Sequence, residues 1–185
     1  YTLWHTLSLH DALPIFVGRK IEMSELTNAL KNLKQGKGRI FSICGGAGTG
    51  KSRLVEEVKA TLDTNNVQWI EGHAYAYSKN IPYFPLIDLL NRLFYINEND
   101  PSEKVKEKLE SGIESLVANK EDVIPYVGVL YSLKYPGTED ISPEHLKSLL
   151  QSAVLTILSA LAQKAPTVFF LEDLHWADLP FVEMI

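Results

Sequence analysis

The sequence has 185 residues, of which 45% are hydrophobic and 22% are charged. This composition excludes collagen-like repeats, coiled coils and largely disordered chains, and the length predicts one domain, since domains usually hold roughly 100–200 residues. A net charge of −5 argues against sequence-independent binding to nucleic acid or anionic lipid. The single cysteine, Cys44, excludes an internal disulfide and fits a reducing, cytoplasmic location. No apolar run approaches the ~20 residues of a membrane span.

Residues 1–15 are interpreted as a non-native segment. The stretch 6–15, TLSLHDALPI, is residue for residue the translation of a widely used sequencing-library adapter. A match of this length is not expected by chance, so we expect the segment to have no part in the function of the protein. The domain is therefore assigned to residues 16–185. No helix stop signal precedes Ile185, and we expect the domain to be incomplete at that end.

The predicted elements are helices separated by short β-prone runs. Apolar residues recur at helical spacing in segments 21–33, 51–63, 86–94, 102–117 and 146–161. The last of these begins with Ser142 as N-cap and Pro143 at the first helical position, and Pro166 ends it. Strands are predicted at 39–44, 67–70 and 167–171, while 121–135 reads as a short helix and loop. The first two strands flank a helix, so we expect a parallel βαβ unit.

A glycine-rich motif lies between the first predicted strand and the helix that follows it. Its residues fit G-x-x-x-x-G-K-[ST], and they are Gly45, Gly46, Ala47, Gly48, Thr49, Gly50, Lys51 and Ser52. Glycines let successive N–H groups turn toward phosphate oxygens, and the helix dipole adds positive charge. We expect Lys51 to reach the β- and γ-phosphates and the Ser52 hydroxyl to ligate Mg²⁺. Arg53, directly after the motif, completes the predicted nucleotide site.

Two carboxylates follow the apolar run 167–171. Mg²⁺ requires oxygen ligands and hydrolysis requires an oriented water, and Glu172 with Asp173 would supply both. We assign Glu172 to the magnesium side, through water, and Asp173 to the attacking water. Most such sites place Asp first, so the reverse division of roles stays open. The predicted metal residues are thus Ser52, Glu172 and Asp173, and the predicted catalytic residues are the two acids with Lys51.

Four sequence features occur in a characteristic order. They are Phe16-Val17-Gly18-Arg19, the glycine-rich motif, Ile81-Pro82-Tyr83-Phe84-Pro85-Leu86, and Leu171-Glu172-Asp173-Leu174-His175-Trp176-Ala177-Asp178. In this combination the chain resembles the P-loop ATPase module of STAND and Orc-like AAA type. Such modules occur in large bacterial signalling proteins, attached to nucleotide cyclase, protein kinase or DNA-binding regulator domains.

The resemblance implies a three-layer α/β/α P-loop fold with a parallel sheet, truncated after the acidic strand. It places Val17, Gly18 and Arg19 near the adenine of ATP, and it implies effector domains in the same chain and nucleotide-dependent self-association. In this class the strand after the acidic one normally lies between it and the phosphate-loop strand, so we expect the fragment to be poorly stable. His175 and Asp178 would sense the γ-phosphate or join the next element.

Several alternatives compete with an ATP-hydrolysing switch. Residues 119–122 match N-K-x-D, the guanine-reading motif of GTPases, but they end a charged helix where that motif should follow a strand. A small-molecule phosphotransferase shares the phosphate loop but not the Leu-His-Trp-Ala-Asp run. A scaffold that binds ATP without hydrolysis stays open. The aromatic segment 75–84 could stack nucleobases, although packing is favoured. His73 and His145 are given no role.

Overall fold

The structure is a computed structural model that describes residues 18–62 and 66–184. The chain divides into two compact units, Tyr1–Leu62 and Asp63–Ile185. The predicted non-native segment 1–15 and the predicted site residue Val17 lie outside the described residues. Both therefore stay predictions.

In residues 18–62, the described part of the first unit, two helices contact each other. Helix α1 spans Lys20–Leu33 and helix α2 spans Lys51–Ala60, so both predicted helices are confirmed, although α2 ends short of residue 63. Helix α2 buries Leu54, Val55 and Val58, which recur at the spacing of one helical face.

The strand predicted at 39–44 is wrong. The structure assigns no strand to this segment, and Ile40 in it is 99% exposed. A strand needs a neighbouring backbone for its N–H and C=O groups, and no part of the described chain pairs with residues 39–44. The predicted βαβ unit between this segment and residues 67–70 is therefore not formed.

The second unit contains a parallel sheet of two strands. Strand β1 spans Gln68–His73 and strand β2 spans Thr167–Glu172, and their register runs from Gln68 opposite Thr167 to His73 opposite Glu172. A parallel partner for β1 is thus present, but it is the acidic strand rather than residues 39–44. Because helices make the crossover between the two strands, the fold is α/β.

Five helices lie in the described part of the second unit. They are α3 (Phe84–Leu93), α4 (Ser102–Glu114), α5 (Ile124–Gly128), α6 (Pro143–Lys164) and α7 (Leu179–Val182). Short 3₁₀ turns lie at Ala76–Ser78, Lys120–Asp122, Val129–Tyr131 and Leu174–Trp176. Leu109, Ile113 and Val127 are fully buried at the centre of the core, which also takes in Ile70 of β1 and Phe181 of α7.

Helix α6 confirms the predicted start and end signals. The Ser142 hydroxyl accepts a hydrogen bond from the His145 N–H at 3.4 Å, Pro143 is the first helical residue, and the helix ends at Lys164. Contrary to the expectation that no apolar run approaches the length of a membrane span, α6 is, within the described residues, the one helix that is long and apolar enough to do so by length and composition. It buries five side chains in the core, the pattern of a core helix: Leu150, Ala153, Val154, Ile157 and Leu161.

Helix α3 packs unusually close to β1 at Gly72. A Cβ atom added there would lie 2.7 Å from the Pro85 carbonyl oxygen and 3.0 Å from the Leu89 Cβ. These separations are too short for non-bonded atoms, so only glycine permits the approach. The start of α3, with its Ile-Pro-Tyr-Phe-Pro sequence, is thereby brought against the carboxyl end of the sheet.

Candidate functional site

The backbone of the glycine-rich loop has two left-handed residues. Residues 47–50 form a turn, in which Gly48 has φ 74° and Gly50 has φ 78°, conformations that glycine adopts at little steric cost. Helix α2 begins at the next residue without a side-chain cap. A turn of this kind leading into an uncapped helix N-terminus is an arrangement that binds anions.

The Lys51 ammonium lies over the same loop. Its Nζ donates to the carbonyl oxygens of Gly45 and Gly46, both at 2.9 Å, and the Thr49 hydroxyl also donates to the Gly46 carbonyl at 2.9 Å. The positive charge of Lys51 and the positive end of the α2 dipole are therefore concentrated on one short loop. This combination favours a ligand with several negative oxygens.

Arg19 contacts the loop from the segment before α1. Its Nη2 donates to the Thr49 carbonyl oxygen at 2.6 Å, and Gly18 and Arg19 both have left-handed backbones, with φ 89° and 50°. The structure thus brings one of the three residues of the predicted Val-Gly-Arg element, Arg19, to the phosphate loop. Their assignment to the adenine end of a nucleotide stays a prediction.

The two residues after Lys51 differ in their surroundings. Ser52 is exposed on the first turn of α2. Arg53 forms ion pairs along the helix with Glu56, at 3.6 Å, and with Glu57. Since two carboxylates already neutralise the guanidinium, Arg53 contributes less positive charge to the loop than Lys51 does. Its predicted contact with nucleotide is not tested by this geometry.

The predicted acidic pair lies where β2 ends. Glu172 is the last strand residue, and Asp173 follows with a left-handed backbone at φ 56°, a conformation that Asp adopts more readily than most residues. The Asp173 side chain is 53% exposed and lies 3.8 Å from the His175 Nδ1, whereas the Glu172 side chain is 29% exposed. A half-exposed carboxylate on a sharp turn is accessible to water and to a metal ion.

His73, which received no role from the sequence, lies among the carboxylates at this end of the sheet. Its Nε2 is 3.5 Å from a Glu172 oxygen and 3.7 Å from a Glu71 oxygen. On its other side, Asp88 of α3 accepts from the His73 backbone N–H at 2.9 Å and lies 3.1 Å from Nδ1. The sequence contains no signal for this cluster, because the contact with Glu172 depends on the β1–β2 register.

Asp178 joins two of the sequence features. One of its carboxylate oxygens accepts from the Tyr83 backbone N–H at 2.9 Å, and the other accepts from the Phe181 N–H at 3.2 Å at the start of α7. The pKa of the Tyr83 phenol is raised, mainly by partial burial; Lys147 opposes the shift and the Asp178 carboxylate adds to it. Of the two roles predicted for Asp178, joining the next element matches these contacts.

The predicted site residues fall in both units. Gly18, Arg19 and the loop 45–53 belong to the first unit, and Glu172 and Asp173 belong to the second. Within each unit the structure brings its own residues together. That the two sets share one metal ion stays a prediction.

The N-K-x-D match occupies a position that does not suit guanine recognition. Residues Lys120–Asp122 form a 3₁₀ turn after α4, and the Lys120 ammonium is paired with Glu114 at 2.5 Å. The motif therefore follows a helix rather than a strand, as the sequence predicted.

The comparison with protein families agrees with the loop geometry. A family model described as an AAA ATPase domain matches residues 15–185. No curated protein and no solved structure matches the chain significantly.

Proposed function

Because the chain belongs to the family of AAA ATPase domains, we propose that it is the ATP-binding switch module of a larger signalling or regulatory protein, with slow Mg²⁺-dependent hydrolysis. The observation that carries the proposal is the phosphate loop. Two glycines of the loop have left-handed backbones, helix α2 begins without a side-chain cap, and the Lys51 ammonium bonds to a carbonyl oxygen of the same loop. Features of this kind favour the binding of phosphate groups, and they support the proposal.

The donor set of the loop fits ATP. The triphosphate would take the place of the Gly45 and Gly46 carbonyls as partner of the Lys51 ammonium, since phosphate oxygens carry more negative charge than amide oxygens. The hydroxyl of Ser52, which is an exposed residue, is an oxygen ligand of the kind that Mg²⁺ accepts. When bound, Mg²⁺ would neutralise charge on the phosphate oxygens.

Hydrolysis is assigned to the acidic end of β2. A carboxylate can accept a hydrogen bond from water and orient it for attack, and the half-exposed Asp173 is suited to this role. Glu172 would hold the magnesium side through water. We further propose that the module is cytoplasmic, acts on effector domains in the same chain, and self-associates in response to nucleotide.

The first test measures nucleotide affinity in a full-length protein. Lys51→Ala removes a charged donor, which contributes about 1.5–3 kcal/mol, so ATP affinity should fall about ten- to hundred-fold. Lys31→Ala is the matched control, because Lys31 is an exposed lysine of the same unit on α1. Titration of a fluorescent ATP analogue, with and without EDTA, provides the measurement. Equal affinity in wild type and Lys51→Ala would refute the site.

The second part of the same experiment separates hydrolysis from binding. Asp173→Asn keeps the side-chain size but removes the charge, so it should leave ATP affinity within about twofold and abolish phosphate release. A wild type that binds ATP but releases no phosphate would instead support the scaffold alternative. Both variants are compared in one phosphate-release assay.

A further inference from the structure

Asp178 ties together two segments that are 95 residues apart. Its two carboxylate oxygens accept from backbone donors on different elements, the Tyr83 N–H before α3 and the Phe181 N–H in α7. Hydrogen bonds to a charged acceptor are roughly twice as strong as neutral ones. Both elements that supply these donors are packed in the core, since Phe181 of α7 is 2% exposed and Leu86 of α3 is 3% exposed.

The chain between Asp173 and Asp178 is fixed at both ends. At the start, Glu172 is held in the strand pair opposite His73. Within the segment, the Trp176 N–H donates to the Asp173 carbonyl at 2.9 Å and the Ala177 N–H donates to the Leu174 carbonyl at 3.0 Å. At the far end, Asp178 holds the segment against the start of α3. Asp173, with its left-handed backbone, is thus part of a short turn that is held at one end by strand β2 and at the other by Asp178.

We infer that Asp178 is a positioning residue that holds the turn carrying Asp173 in the geometry needed for hydrolysis. The inference rests on the proposed function, because it assigns Asp173 to the attacking water. Asp178 itself takes no part in the chemistry. Its loss would release the far end of the turn and let Asp173 leave its left-handed conformation, which is unfavourable for a residue other than glycine.

A second contact at the same end of the chain provides a control. Lys147 of α6 pairs with Glu183 at 2.5 Å, directly after α7. The Lys147 charge also acts on the Tyr83 phenol, but the Tyr83 backbone N–H bonds to Asp178 and not to this ion pair. Glu183→Gln therefore weakens the attachment of α7 without removing the Asp178 bridge. A merely structural role for Asp178 predicts that the two substitutions behave alike.

The test compares Asp178→Ala, Asp178→Asn and Glu183→Gln in a full-length protein. Asp178→Ala should lower kcat for ATP hydrolysis about ten- to hundred-fold, the cost of a misplaced catalytic group, while KM changes less than about twofold. Asp178→Asn retains one carbonyl acceptor and should recover part of the loss. Glu183→Gln should leave both parameters near wild type.

Amide hydrogen exchange provides a readout that does not depend on hydrolysis. In Asp178→Ala and Asp178→Asn, exchange should become faster in residues 173–177 and at Tyr83, and it should be unchanged there in Glu183→Gln. If exchange in 173–177 stays at the wild-type rate, or if Glu183→Gln reproduces the kcat loss, the inference is overturned. A wild type without ATP turnover would overturn the proposed function alone, and the exchange data would still decide whether Asp178 holds the turn.

Discussion

Gly50 offers a substitution whose cost can be assigned to the backbone alone. Its φ is 78°, and an added Cβ would meet no atom within 4 Å. Gly50→Ala therefore introduces no clash, and its penalty is the ~1–2 kcal/mol that an L-residue requires in the left-handed region. Gly36 has φ 77° and is equally open, but it lies in the turn after α1, outside the phosphate loop. The two glycines form a matched pair.

The location of each glycine decides whether the penalty lowers ATP affinity or the free energy of unfolding. The exposed phosphate loop can relax in Gly50→Ala when no ligand is bound, so the conformational cost reappears when the loop must bind phosphate. A cost of ~1–2 kcal/mol corresponds to an ATP affinity about five- to thirty-fold weaker. Gly36→Ala should lower the free energy of unfolding by a comparable amount and leave ATP affinity unchanged.

Isothermal titration with ATP and Mg²⁺, together with urea unfolding, measures both quantities for each variant. Gly50→Asn is a useful third variant, because Asn tolerates the left-handed conformation better than Ala, and it should fall between Ala and wild type. The reasoning is refuted if Gly50→Ala binds ATP as tightly as wild type, or if Gly36→Ala weakens binding equally.

Two further predictions concern the second unit. Gly72→Ala should lower the free energy of unfolding of this unit by about 1–3 kcal/mol, the usual cost of overpacking, because the new Cβ would lie 2.7 Å from the Pro85 carbonyl oxygen. Urea unfolding measures the change. Gly38→Ala is the near-neutral control, because a Cβ added at Gly38 would meet no atom within 4 Å. The hydrogen bond from Lys108 holds the pKa of the Asp100 carboxyl below its usual range. Asp100 therefore stabilises the fold above the ordinary Asp pKa of about 3.9, and this contribution is lost as the pH falls through the lowered pKa. Asp100→Asn should be less stable than wild type at pH 7, and urea unfolding should show the difference shrinking below about pH 4; a constant difference would contradict the assignment.

The helices could be predicted because their signals are local. In α6 the Ser142 cap, Pro143 and the apolar stripe all lie in one stretch of sequence, and each acts within a turn or two of its own position. The acidic strand could be predicted for a similar reason, as a short apolar run between a helix end and two carboxylates.

Strand pairing could not be predicted in the same way. Residues 39–44 have a β-prone composition, yet propensity reflects the fit to a sheet surface rather than an intrinsic backbone preference. Ile40 has no neighbouring strand among the described residues and is exposed. The role of His73 could not be predicted for the same reason, because its position beside Glu172 follows from a register between segments about a hundred residues apart.

Left-handed residues link the sequence features to the local geometry. Arg19, Tyr83 and Asp173 each have positive φ directly before a helix or 3₁₀ turn, and each belongs to one of the features that carried the resemblance. A non-glycine residue in this region costs about 1–2 kcal/mol, so other contacts must stabilise it. The Arg19 guanidinium bonds to the Thr49 carbonyl, and the Tyr83 N–H bonds to Asp178. Because these partners are distant in sequence, hydrophobic periodicity cannot predict them. Only the motifs indicate the positions at which the backbone is held in an unfavourable conformation.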